Sequence, residues 1–323
     1  MKIKQLILAL CVMPAFVACN EDKLGPSIIE IPEASTNPTD IYIYNNLIVP
    51  YNVDVKYKWD YSESDLSKNL VPPREEYIIP FLDAVIQAWI NPYMAVDKES
   101  DGAFDFSLRV PKQLLLIGSS GYNSDGTVTQ GTAEGGKKIV LYEINSYDPK
   151  RIAVLQRYFH VMHHEFGHIL HQTKEFSTEY QSISAGLYTS TWYLNSDAYA
   201  KQNGFITSYA MLEYHEDFVE MVAMMLTRSE SEWAALMNSI PASGKTQLLR
   251  KESLVISYFK DVWNVNIFEL QGIIHERITD YLNGGSGALK SSTNATSDDD
   301  YLFPYYSYSQ DNTCQYHRRP IAQ

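Results

Sequence analysis

His164 and His168 stand four residues apart in a stretch of helical periodicity, with Glu165 directly after the first. On an α-helix, residues i and i+4 lie one above the other, so the two imidazoles can aim at one ion. Glu165 is turned from His164 by about 100°, close enough to touch a water on that ion without becoming a ligand. The pattern His164-Glu165-Phe166-Gly167-His168 thus supplies two protein ligands for a catalytic zinc and a candidate general base. It also constrains the fold. Leu155, Phe159, Met162, Phe166 and Ile169 form an apolar stripe, and His160, His164, His168 and His171 form a neighbouring one. A helix with one apolar and one histidine face lies between a core and a cleft. Asp148 reads as its N-cap and Pro149 as its first helical residue.

The chain of 323 residues, 45% apolar, is long enough to bury a full core around such a helix. Its first residues read differently. Lys2 and Lys4 precede an apolar run from Ile7, and Ala18-Cys19 follows. That reads as a secretory signal peptide over residues 1–18, too short to span a membrane; Ala18 before Cys19 resembles a bacterial lipobox, which implies that Cys19 is the lipidated first residue of a lipoprotein. Cys11 leaves with the signal and Cys19 carries lipid, which leaves Cys314 without an intrachain disulfide partner. Loss of Lys2 and Lys4 moves the net charge from −13 to about −15. So acidic a chain is a poor binder of nucleic acid or anionic lipid, and its membrane contact is expected through the N-terminal lipid alone. Residues 19–40, with Pro26, Pro32 and Pro38, read as a tether. Asn20-Glu21-Asp22 resembles the acidic export signal of surface lipoproteins in Bacteroidetes-type bacteria, which implies an outer-membrane location, facing the surface or the periplasm.

Residues 41–282 read as the folded domain and 283–323 as a low-complexity extension. Val53, Val55, Tyr57, Trp59 and Tyr61 alternate as a strand does, and Glu75 to Trp89 carries an amphipathic helix. Leu114–Ile117 and Ile139–Tyr142 are short apolar strands joined by a glycine-rich mobile loop, Gly118 to Gly136. Helices follow over Leu212–Thr227, Ser229–Met237, Lys245–Trp263 and Phe268–Leu282. Strands early and helices late make an α+β fold: a small N-terminal mixed sheet, the histidine helix and a helical C-terminal half.

A catalytic zinc needs a third protein ligand and one open position. The metzincin pattern requires Gly and His at the third and sixth positions after His168; this chain has His171 and Lys174 there. His171 itself, at i+7 from His164, converges poorly with the other two and is expected to line the cleft or hydrogen-bond nearby. His160 and His163 receive the same reading. A glutamate from a second helix is the other solution. Glu216 and Glu220 share a helix face away from Phe218 and Val222, with Glu220 placed to support a histidine ligand. Asp217 and Glu213 remain alternatives, each turned to a different face.

Together with His164-Glu165-Phe166-Gly167-His168, the residues Tyr209, Glu216, Asp217, Phe218, Val219 and Glu220 resemble the catalytic half of the anthrax lethal-factor-like gluzincins. They resemble still more closely the zinc-binding metallopeptidase lipoproteins found with starch-utilisation-type import systems in Bacteroidetes-type bacteria. The resemblance is sharp over residues 148–228. It implies a zincin-like fold, one Zn²⁺ held by His164, His168 and Glu216, and catalytic assistance from Tyr209 across the metal. It also implies an outer-membrane import complex as partner. Asp217 departs from the lethal-factor pattern, which has an apolar residue there, so the choice between Glu216 and Asp217 stays open.

The expected activity is hydrolysis of a peptide or protein substrate, with Glu165 moving the proton and Tyr209 steadying the oxyanion. The strand near Lys138 to Glu143 is expected to pair with the extended peptide at a sheet edge. The alternative is a surface lipoprotein that binds glycan or peptide on a zincin scaffold with little or no turnover, suggested by the 24 tyrosines and 5 tryptophans.

Overall fold

The computed structural model describes residues 35–284, except 125 and 135–136, together with 305–308 and 314–317. The signal peptide, Cys19 and most of the tether lie outside the described residues. The chain divides into two units, Met1–Thr36 and Asn37–Gln323. The second unit opens with the helix Pro38–Ile43, whose N-cap Asn37 accepts from Thr39 N at 2.7 Å and Asp40 N at 3.3 Å. Residues 37–40, tether by their sequence, are therefore part of the folded body.

A four-stranded sheet supports the site. Its strands are β1 (Asp54–Lys56), β2 (Gln113–Leu116), β3 (Gly131–Glu134) and β4 (Lys138–Leu141), in the order β1-β2-β4-β3. The first three in that order run parallel, and β3 runs antiparallel to β4. Leu114, Leu116, Ile139 and Leu141 point to the main core. Leu115, Ile117, Val140 and Tyr142 cluster on the other face. Burial on both faces explains the unbroken apolar runs of β2 and β4.

The structure corrects three expectations. Only Asp54–Lys56 of the 53–61 alternation joins the sheet; beyond it the Asp60 and Asp65 carboxylates accept from the backbone N–H of Ser62 and Ser67 and turn the chain. The 118–136 segment is not simply a loop: Gly121–Tyr122 pairs with Val128–Thr129, and β3 follows. Since β4 lies between β2 and β3, the sheet edge on that side is β3 rather than the strand near Lys138. In the tail, Tyr305–Tyr308 and Cys314–His317 form an antiparallel pair.

The helical segment Ile78–Lys98 contains a widened π turn, Ile86–Ile90, just before Pro92. Proline lacks the N–H for an i→i−4 bond and its ring crowds that carbonyl; the wider turn accommodates both. Tyr44–Ile48 precedes Pro50 in the same way. Trp89, from the first of these turns, packs edge-on against Phe166 of the histidine helix at 5.4 Å.

The histidine helix spans Ile152–Thr173. It starts later than Asp148 and Pro149 suggest, because the Asp148 carboxylate accepts from Lys150 N at 3.0 Å in a local turn and Arg151 occupies the cap position. The expected apolar stripe from Leu155 to Ile169 is buried. Against this helix lies Tyr214–Leu226. The contact is close: a Cβ at Gly167 would sit 3.0 Å from Val219 Cγ1, so glycine eases the approach of the two helices there.

Behind the second helix lies a buried ion pair. Lys251 Nζ, from the helix Ala242–Ser257, is 2.5 Å from Asp217 Oδ2, and both side chains are 0% exposed. Lys251 also donates to Gly204 O at 2.7 Å, and Tyr188 OH donates to Asp217 Oδ2 at 3.0 Å. Tyr180 OH donates to the Asp217 carbonyl at 3.0 Å. Burial pushes Asp217 up and Lys251 down, with the pairing opposing both shifts. Removing one partner strands the other as a buried charge. Lys251→Met is expected to cost about 3–5 kcal/mol in urea unfolding, and adding Asp217→Leu to recover much of it.

Candidate metal centre

His164 Nε2 lies 2.9 Å from Glu216 Oε2, and His168 Nε2 lies 3.4 Å from Glu216 Oε1. The two imidazoles are 5.0 Å apart and nearly perpendicular, at 78°. Glu216 occupies the first turn of its helix, where the positive end of the helix dipole favours a carboxylate. On the outer side, His164 Nδ1 faces Glu220 Oε2 at 3.1 Å. The same Glu220 carboxylate meets His160 Nε2 at 3.0 Å and accepts from Thr207 Oγ1 at 3.0 Å. The Tyr209 ring lies 5.7 Å from that of His164 and is braced edge-on by Trp192 at 4.8 Å.

Glu165 is buried beside the sheet edge. A Cβ at Gly131 of β3 would lie 3.5 Å from Glu165 Oε1 and only 2.2 Å from Val161 Cγ1. Glycine at 131 is therefore what lets the edge strand lie so close to the histidine helix.

Electrostatics favour a cation among these donors. Burial alone would lower the His164 pKa, but its hydrogen bonds to Glu216 and Glu220 outweigh it and raise the value to about 10. Burial raises Glu216, yet His164 and His168 more than reverse this and hold its carboxylate below the usual range. Glu220 behaves likewise, with His160 and His164 overcoming burial. Burial first, then the charge of Glu216, pushes Tyr209 well up, so it stays a phenol. The carboxylates that hold a proton on His164 would equally stabilise a divalent ion. One donor atom each from His164, His168 and Glu216 falls within 4.8 Å of the others. Two imidazoles and a carboxylate, buried and mutually adjacent, fit zinc.

The acids left open by the sequence separate here. Asp217 turns away into its pair with Lys251, and Glu213 precedes the helix and stands 3.6 Å from His215 Nδ1. Glu216 is the one that meets both histidines. His163 is on the core face, 2.9 Å from Tyr93 OH, and burial lowers its pKa to about 3. His171 Nε2 lies 3.0 Å from His168 Nδ1. Two further contacts involve histidines outside the candidate donor set. His160 meets Glu220, a role its four-residue spacing from His164 could have suggested. His215 stacks on His171 at 4.7 Å, and nothing in its sequence neighbourhood signals that.

Comparison with known proteins gives the family of the chain. Residues 32–268 match the family described as "Putative zinc-binding metallo-peptidase". The crystal structure of a protein of the same description from Bacteroides caccae, at 2.10 Å resolution, is 35% identical to this chain. Its superposition has a TM-score of 0.64 and covers 80% of this chain and 97% of that one. No curated protein matches the chain. The family match spans most of the sequence, the mixed α+β architecture is shared with the solved relative, and the chain belongs to this family of zinc-binding metallo-peptidases.

Proposed function

We propose that the chain hydrolyses peptide bonds, with His164, His168 and Glu216 holding one zinc ion and Glu165 acting as the base. The observation that carries this reading is the convergence of both Nε2 atoms on the Glu216 carboxylate, with Glu165 buried one residue from His164 beside the sheet edge. Zinc, when bound, supplies a Lewis acid that polarises the scissile carbonyl and acidifies water. Glu220 accepts the His164 Nδ1 proton and leaves the Nε2 lone pair free. Glu165 takes the proton of the attacking water and passes it to the departing amine. Tyr209, kept protonated, donates to the oxyanion that develops on the substrate. An extended peptide pairs with β3, the edge strand, so that its backbone passes Glu165.

For the binding-only alternative the tyrosines divide: Tyr93, Tyr147, Tyr158, Tyr180 and Tyr258 are buried in the core, whereas Tyr44, Tyr61, Tyr122, Tyr193 and Tyr199 are exposed. No described helix is long and apolar enough to cross a membrane. The proposed attachment is instead a lipid on Cys19, at the outer membrane. A role in nutrient import rests on the acidic residues after Cys19 and on the resemblance to import-associated lipoproteins.

Glu165→Gln is expected to keep one zinc per chain, measured by elemental analysis, while peptide turnover falls by about 10²-fold or more; an unchanged rate would remove Glu165 from the role of base. Glu216→Ala should lower zinc occupancy sharply, whereas Asp217→Asn should retain it. The opposite pair of results would transfer the ligand role to Asp217. For the anchor, Cys19→Ala should move the protein from the membrane fraction to the soluble fraction of expressing cells.

A further inference from the structure

Beyond His168 the cleft wall holds another cluster of donors, His171, Glu175 and His215. His171 is 5% exposed, edge-on to Phe176 at 5.7 Å and stacked on His215 with 10° between the rings. Its Nε2 lies 3.0 Å from His168 Nδ1. Its Nδ1 is buried without a hydrogen-bond partner, and Glu175 Oε1 stands 3.8 Å away.

Proton positions follow from these contacts. His168 Nε2 faces Glu216, so a ligand lone pair on Nε2 requires the proton of the neutral ring to sit on Nδ1. That N–H meets His171 Nε2, which can accept only with a lone pair. A neutral His171 must then carry its own proton on Nδ1, which lies 3.8 Å from Glu175 Oε1. The two ligand histidines are thus supported unequally: His164 by a carboxylate directly, through Glu220, and His168 by a second imidazole.

We propose that His171 is a positioning residue for zinc, accepting the His168 Nδ1 proton and so fixing the tautomer and orientation of that ligand, with Glu175 behind it. This rests on the reading of His168 as a zinc ligand. The same proton count argues against a second metal at His171, Glu175 and His215, because His171 has no lone pair left to give. Ring geometry agrees: nearly parallel imidazoles point their in-plane lone pairs side by side rather than at one centre.

The test uses the full chain, with zinc affinity measured by chelator competition and visible spectra recorded after cobalt substitution. His171→Phe keeps a ring of similar size but removes the acceptor, while His171→Gln restores an acceptor oxygen. The Phe variant should bind zinc about 10–100-fold more weakly and show altered cobalt bands, and the Gln variant should recover most of both. An unchanged Phe variant, or an equal loss in Phe and Gln, would overturn the proposal. His168→Ala separates it from the reading beneath: retained zinc there means His168 is not a ligand, whereas zinc loss there beside a silent His171→Phe defeats the relay alone. Two zinc ions per chain, one of them lost in His215→Ala, would overturn the proton assignment.

Discussion

The candidate metal donors come from two helices that pack closely where position 167 has no side chain. Gly167 immediately precedes His168, and the residue it touches, Val219, immediately precedes Glu220. This close contact is therefore in register with the residues that form the candidate centre. Ligand distances in a metal site tolerate only about ±0.2 Å, and a Cβ at 167 would begin 3.0 Å from Val219 Cγ1. A side chain at 167 would press on Val219, one residue before Glu220, although residue 167 touches none of the donors through a side chain. The glycine in His164-Glu165-Phe166-Gly167-His168 thus contributes to the close approach of the two helices that carry the donors.

Separation of the helices is one coordinate; rotation of the second helix is another. Neighbouring helical residues diverge by about 100°, and here Glu216 turns into the cleft while Asp217 turns into a dry pair with Lys251. Tyr180, Tyr188 and the Gly204 carbonyl complete that pair's hydrogen bonding. A rotation that brought Asp217 to the histidines would leave Lys251 buried and unpaired. The acid that competes with Glu216 on paper is what pins Glu216 in phase.

That division explains what the sequence could and could not disclose. The stripes of the histidine helix and the apolar strands β2 and β4 are local patterns, and the structure reproduces them. β3 reads Gly-Thr-Ala-Glu and carries almost no apolar signal; it is a strand because β4 pairs with it. The alternation from Val53 to Tyr61 is genuine in composition, but Asp60 and Asp65 turn the chain with their own side chains. Choosing between Glu216 and Asp217 required Lys251, 34 residues further on, and no local pattern reveals which neighbouring acid a distant lysine will hold. His215 was invisible for the same reason, since its partner His171 sits on the other helix.

Three carboxylates crowd this centre, and their partners give them different tasks. Glu216 faces the inner nitrogens of both histidines. Glu220 is divided among His160, His164 and Thr207, which fixes it on the outer side of the cluster. Glu165 lies instead toward β3, where Gly131 presents bare backbone. A side chain at 131 would strike Val161 one turn below Glu165 and lift the strand away from the helix. One glycine therefore closes the sheet edge onto the helix and sets that edge beside the proposed base. A peptide added to the edge strand would arrive with its backbone near Glu165, which ties the register of substrate binding to the same packing contact that holds the fold together.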